Sequence, residues 1–183
     1  MGKLVIFQGS PRANGYTAGI LQQIAAGATS AGGEVVWYDL NDDGIRGCQN
    51  CRYCRSHDGC ATQDALQPMY REMQDADGIA AGFPIYFMGI SGQGKRWLDR
   101  LFPFVDARMK PRHPGKKVVT VYIQGDADPQ RFRPAMDMTD RCLTMMGWKV
   151  LRRLSLCGTN DPALEIPPEL LEQAFQAGRE LVL

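Results

Sequence analysis

Four of the chain's six cysteines fall in GCQNCRYCRSHDGC, residues 47–60, where Cys48, Cys51, Cys54 and Cys60 follow C-x2-C-x2-C-x5-C. Three thiols spaced by two residues can converge on one cuboidal iron–sulfur cluster, and a short glycine-containing loop returns the fourth. Four thiolates around a [4Fe–4S] core leave a net charge of about −2, by formal counting. Arg46, Arg52 and Arg55, with His57, supply offsetting cations that also favour thiolates. Two other readings stand. A zinc site of four cysteines uses two separated C-x-x-C pairs, which the third close cysteine argues against. Free thiols or adventitious disulfides are the other, because clusters are easily lost. Cys142 and Cys157 lie in apolar patterns and are expected to be buried.

A second chemistry is suggested by QGSPRANGYT, residues 8–17. Gly9 and Gly15 allow close backbone approach, Ser10, Asn14 and Thr17 offer hydrogen bonds, Arg12 offers a cation, and a following helix offers free N–H groups. A terminal phosphate suits this set; an ordinary turn with an N-cap is the plainer reading. GFPIYFMGISGQ, residues 82–93, suits a wall for a flat ring. There Pro84 ends a strand, Tyr86, Phe87 and Met88 give polarizable surface, and backbone N–H groups are free to bond a heterocycle edge. The plainer reading packs those aromatics in the core. GISGQGKR, residues 89–96, has the frame of a triphosphate-binding loop, but Arg96 stands where a magnesium-ligating Ser or Thr is required. His57 and His113 have no recognisable partner and read as surface residues.

Strands are expected at 3–8, 34–40, 78–83, 116–124 and 148–156, and helices at 17–29, 65–76, 91–102, 134–147 and 167–183. Strand alternating with helix five times predicts a parallel sheet covered on both faces, an α/β architecture. Ligands of such sheets sit beyond the carboxyl ends of the strands, which directs attention to loops 9–16, 41–62, 84–92 and 125–133. At 183 residues and 44% hydrophobic content, a single domain over 1–183 with a cysteine-rich loop at about 41–62 is expected. A formal charge of +1 gives no field to gather nucleic acid or an anionic membrane. No apolar run approaches a membrane span, the first one covering only Leu4 to Phe7, and the cytoplasm is the expected location.

GSPRANGYT, ADGIAAGFPIYFMGISGQGKRWLDR and IRGCQNCRYC together resemble the flavodoxin-like FMN oxidoreductases, and more specifically the iron–sulfur flavoproteins, over residues 1 to about 104. The resemblance implies a five-stranded sheet of order 2-1-3-4-5 in a three-layer sandwich, bound FMN, and homodimers or homotetramers with the flavin near a subunit interface. Ser10, Arg12, Asn14, Gly15, Tyr16 and Thr17 would then hold the FMN phosphate. Pro84, Ile85, Tyr86, Phe87, Met88 and Gly89 would contact the ring, and Gln124 and Gly125 would close the ring site. The chain departs from the usual pattern at Tyr16, at Gly94 and at the acidic QGDADP, residues 124–129.

The expected function is FMN-dependent electron transfer coupled to a [4Fe–4S] cluster held by Cys48, Cys51, Cys54 and Cys60, with NAD(P)H as a reductant and a small molecule or protein as partner. FMN exchanges electrons in pairs or singly and a cluster only singly, so the two together interconvert pair donors and single-electron carriers. The alternatives are a cluster-free NAD(P)H-dependent FMN or quinone reductase, and a non-catalytic four-cysteine module that binds a metal or senses redox state. No conventional acid, base or nucleophile is evident.

Overall fold

The computed structural model describes residues 1–183. Its elements in chain order are β1 (Lys3–Gln8), α1 (Tyr16–Ser30), β2 (Glu34–Asp39), α2 (Met69–Asp75), β3 (Gly78–Tyr86), β4 (Gly89–Ile90), α3 (Gly92–Asp99), β5 (Lys117–Ile123), α4 (Arg133–Met145), β6 (Lys149–Leu156) and α5 (Pro168–Val182). Five strands run parallel in the order β2-β1-β3-β5-β6, and the two-residue β4 pairs antiparallel with the end of β3. With β4 set aside, this is the 2-1-3-4-5 order expected from the sequence.

Strand alternation sorts the core into two halves. In β1, Leu4 and Ile6 face a cluster built with α1 and α5, while Val5 and Phe7 face a second cluster that takes in Met73, Trp97, Leu143 and Trp148. A strand with apolar residues on both faces is stable only under two covering layers, and α1 and α5 form one, α2, α3 and α4 the other. Close approach of α1 to α5 depends on two glycines: a Cβ on Gly27 would collide with the Phe175 carbonyl, and one on Gly178 with the Ile24 carbonyl. No helix is long and apolar enough to cross a membrane.

Three boundaries differ from the sequence reading. Instead of ending at Phe83, β3 continues through Pro84 to Tyr86. Pairing with β1 stops at Gly82, whereas pairing with β5 continues to Pro84↔Ile123. Pro84 therefore sits beyond the β1 pairing, where its carbonyl accepts the Ser91 N–H at 3.0 Å, and its missing N–H breaks no parallel ladder. Helix α2 begins at Met69 rather than 65, because Pro68 occupies the cap position and the residue before a proline is pushed away from helical geometry. Helix α3 stops at Asp99, and residues Phe102–Phe104 form a short 3-10 turn around Pro103.

Because the α1–α5 contact leaves no room for a side chain, Gly27→Leu is expected to lower folding stability by about 3 kcal/mol. Urea unfolding followed by circular dichroism would measure it.

Candidate functional site

The turn from β1 into α1 ends in a helix with no side-chain cap. Its N-cap is Gly15, and the first helical bond runs from Gly19 N–H to the Gly15 carbonyl at 3.0 Å. The N–H groups of Tyr16, Thr17 and Ala18 thus lack helical partners, and the helix dipole adds positive potential at the same point. Ser10, 4% exposed, accepts the Arg12 N–H at 3.1 Å through its hydroxyl, and Thr17 is buried beside it. This is a cradle for an anion.

Ser91 ties the next loop to the first. Fully buried, its hydroxyl donates to the Gly9 carbonyl at 2.5 Å and accepts the Gly94 N–H at 3.1 Å, so one side chain both caps α3 and fixes the end of β1. Between β3 and β4 lies a two-residue turn, Phe87 and Met88, at φ +45° and +72°. A hairpin turn with positive φ at both positions favours Asn-Gly, and a Phe-Met pair there carries strain. Tyr86, Phe87 and Met88 are all exposed, Phe87 completely, so the core reading of these aromatics does not hold.

A cavity of about 410 Å³ joins the cradle to this wall, within the usual size of a cofactor site. Ser10, Arg12, Gly15, Tyr16 and Thr17 line it from the first loop, and Pro84, Ile85 and Tyr86 from β3. Gly125 lines it after β5, so nine of the fourteen expected cofactor residues meet there. The other five do not line it. Asn14 faces a separate open groove with Glu165 and Ile166. Phe87, Met88 and Gly89 form the hairpin beyond the wall. Gln124 is buried, and its Nε2 donates to the carbonyls of Asp126 and Asp128 at 3.0 and 2.7 Å, shaping the loop rather than the cavity.

Sequence reasoning missed Ile123, Asp126, Phe132, Thr159 and Asn160, all of which line the cavity. Asp126 and Phe132 lie at the carboxyl end of β5, in or beside a loop already marked for inspection, and their chemistry was the available signal. Thr159 and Asn160 follow β6; they reach inward because the Thr159 hydroxyl and N–H both bond the Gln124 carbonyl at 3.1 and 3.2 Å.

The cysteines lie elsewhere. Cys48, Cys51, Cys54 and Cys60 all line one cavity of about 20 Å³, closed by Arg100, Phe102 and Pro103. No three His, Cys, Asp or Glu side chains converge closely enough to hold a single metal ion. Cys48 and Cys51 are exposed, and Cys54 and Cys60 half-buried. Burial pushes the Cys54 thiol up against the pull of Arg55, and the neighbouring Cys60 and Cys48 push it further. Burial acts the same way on Cys60, but hydrogen bonds from Thr62 and Tyr70 and the charge of Arg100 outweigh it and hold that thiol below its ordinary range.

Two arginines of the α3 segment hold the cysteine loop, and neither role was read from the sequence. Arg96 donates to the carbonyls of Ile45 and Leu40 at 2.9 and 3.2 Å. Arg100, with a fully buried side chain, spends all five N–H groups: on the Tyr70 hydroxyl, on the carbonyls of Arg46 and Thr62, and on both oxygens of Asp64. Burial alone would push the Asp64 carboxyl up, but the Arg100 bonds and the N–H groups of Arg46 and Leu66 hold it below the usual carboxylate range.

The remaining candidates are outside both cavities. Exposed His57 stacks on Tyr53 at 4.0 Å, and half-buried His113 lies 3.5 Å from Asp58. Cys142 and Cys157 are half-buried rather than buried. Cys142 faces a groove between α3 and α4, where its apolar neighbours do not close over it.

The large cavity opens at the carboxyl ends of β1 and β3, where successive connections leave the sheet in opposite directions, and this is the binding crevice of a flavodoxin-like α/β protein. The sequence profile of the NADPH-dependent FMN reductases matches residues 2–156, and the chain belongs to that family. An iron-sulfur flavoprotein of Methanocaldococcus jannaschii is 32% identical over 101 residues, 55% of this chain and 52% of its own. One of Archaeoglobus fulgidus is 32% identical over 104 residues, 57% of this chain and 53% of its own. The matched stretches cover about half the length of these relatives. Among solved structures, an NAD(P)H:quinone oxidoreductase from Methanothermobacter marburgensis superposes with TM-score 0.73 over 98% of this chain and 95% of its own, at 18% identity.

Two outcomes follow from this geometry. Stability contributed by ionised Asp64 is fully present above the ordinary carboxylate pKa of about 4 and lost as the pH falls through its depressed folded value. Asp64→Asn should therefore flatten the acid limb of the stability profile while costing about 3 kcal/mol at neutral pH, measured by denaturant unfolding between pH 2 and 7. Relief of the strained turn by Phe87→Asn with Met88→Gly should raise stability by about 1–3 kcal/mol, seen as a higher thermal midpoint.

Proposed function

We propose that the chain is an FMN-dependent oxidoreductase that draws electrons from NAD(P)H and passes them to a small-molecule or protein acceptor. The observation that carries this reading is the single cavity joining an uncapped helix N-terminus to an apolar wall. Ser10, Thr17 and the N–H groups of Tyr16, Thr17 and Ala18 would hold the phosphate, with Arg12 balancing its charge. Pro84, Ile85 and Tyr86 would flank the ring, and the exposed hairpin would keep water from one edge of it. Bound there, FMN supplies the capacity to accept electrons in a pair and release them in a pair or singly. The chain would work as one FMN-binding domain in the cytoplasm, as a homodimer or homotetramer.

Cys48, Cys51, Cys54 and Cys60 would hold a [4Fe–4S] cluster. A single ion needs all thiolates drawn to one centre at about 2.3 Å, whereas a cuboidal cluster spreads its ligands over four irons. Four thiols lining one cavity are the observation that supports this reading. A space of about 20 Å³ holds little more than one water, so loading requires the exposed Cys48–Cys51 segment to move outward. Arg100, Arg55 and Arg52 would offset the charge. The same small volume favours the second reading, a cluster-free NAD(P)H-dependent FMN or quinone reductase.

Protein purified without oxygen, with FMN, iron and sulfide quantified on one sample, tests both readings. One FMN per chain and NAD(P)H oxidation are expected, and Ser10→Ala should weaken FMN binding about tenfold, the loss of one charge-assisted hydrogen bond. A chain that binds no FMN overturns the reading. About four irons and four sulfides, lost in Cys48→Ser, support the cluster; FMN without iron after anaerobic reconstitution leaves the cluster-free reductase.

A further inference from the structure

We infer that Asp126 lowers the reduction potential of the flavin held in the large cavity, by opposing the negative charge that the ring gains on reduction. The inference rests on the FMN reading above. In the reaction, NAD(P)H gives up two electrons and one proton to become NAD(P)⁺, and FMN takes up the same, so its ring gains one negative charge.

Arg12 and Asp126 are the only charged residues lining the cavity. Arg12 belongs to the loop after β1, beside the anion cradle. Asp126 belongs to the loop after β5, and β3 lies between the two strands. Neighbouring strands are about 4.8 Å apart, which places the β5 loop about 10 Å from the cradle in the direction across the sheet. It adjoins instead the wall at Pro84–Tyr86, where Pro84 pairs with Ile123, three residues before Asp126. A phosphate in the cradle neutralises Arg12, and the carboxylate is then the one remaining charge among the lining residues, on the side of the β5 loop.

Hydrogen bonds order the loop that carries this carboxylate, whose side chain is 41% exposed. Its Oδ1 accepts the Asp128 N–H at 2.9 Å, and its main-chain carbonyl accepts the Gly158 N–H and the Gln124 amide. Gly125, just before it, packs closely on the Asn160 side chain, with which a Cβ there would collide. The facing cation is Arg131, an exposed side chain whose Nε lies 3.9 Å from Oδ2, a contact that solvent weakens. Asp128 adds a second negative charge from the same loop. Burial first, and then the charges of Asp126 and Asp128, push the neighbouring Cys157 thiol up.

The test measures binding of oxidised FMN and of reduced FMN to the full-length apoprotein, anaerobically, in the wild type and in Asp126→Asn, Asp126→Ser and Asp126→Glu. Removing the charge should tighten binding of the reduced form relative to the oxidised form about tenfold, which for a two-electron couple raises the midpoint potential by about 30 mV. Asp126→Ser keeps an acceptor for the Asp128 N–H and should behave like Asp126→Asn, whereas Asp126→Glu keeps the charge and should retain the wild-type ratio. An unchanged ratio in the two neutral variants, with FMN still bound, overturns the inference alone. A shift in the glutamate variant as large as in the neutral ones also overturns it, assigning the effect to loop shape. Failure of the wild type to bind FMN in either form overturns the FMN reading and this inference with it.

Discussion

A guanidinium with no solvent contact is tolerable only when every N–H has an acceptor, and Arg100 meets that condition through residues brought from three separate parts of the chain. Tyr70 comes from α2, while Arg46, Thr62 and Asp64 come from the two ends of the cysteine loop. Since no subset of these acceptors would suffice, the loop is closed at its base whenever Arg100 is buried. Arg96, one helical turn earlier, repeats the grip on Leu40 and Ile45. The cysteine cavity is therefore a consequence of how α3 is decorated, and α3 in turn is placed by Ser91 against the end of β1.

Much of this architecture was legible in the sequence because it rests on local signals. Short apolar runs between amphipathic stretches announced the parallel sheet, and the polar, glycine-containing turn after β1 announced the cradle. What was not legible depends on partners distant in sequence. Pro84 looked like a terminator because its missing N–H counts only on a paired side, and pairing by β1 ends two residues earlier. No local signal marks the role of Arg96 and Arg100, which is to meet carbonyls 38 to 56 positions away. Thr159 and Asn160 carry no motif and enter the cavity only because β6 lies beside β5.

The two cavities differ in how they treat charge. The larger one is half-open, has one residue of each sign and leaves helix N–H groups free, an environment that orients an elongated guest with a charged end. The smaller one is nearly filled, and its thiols sit beside a buried arginine already matched by a carboxylate. The Arg100–Asp64 pair is formally neutral there, so most of the local positive potential comes from the outer arginines. One of these, Arg55, lies over the Phe102 ring at 4.9 Å and also reaches the Asp106 carbonyl at 3.3 Å.

The grip of α3 on the loop falls mainly on main-chain carbonyls, those of Leu40, Ile45, Arg46 and Thr62, with Asn41 and Asp64 as the side chains it engages. A carbonyl is the same whatever residue bears it. The anchors thus hold the segment chiefly by its backbone, so its attachment does not depend on which side chains lie between them, and the thiols it carries are presented by a mount that is indifferent to their chemistry.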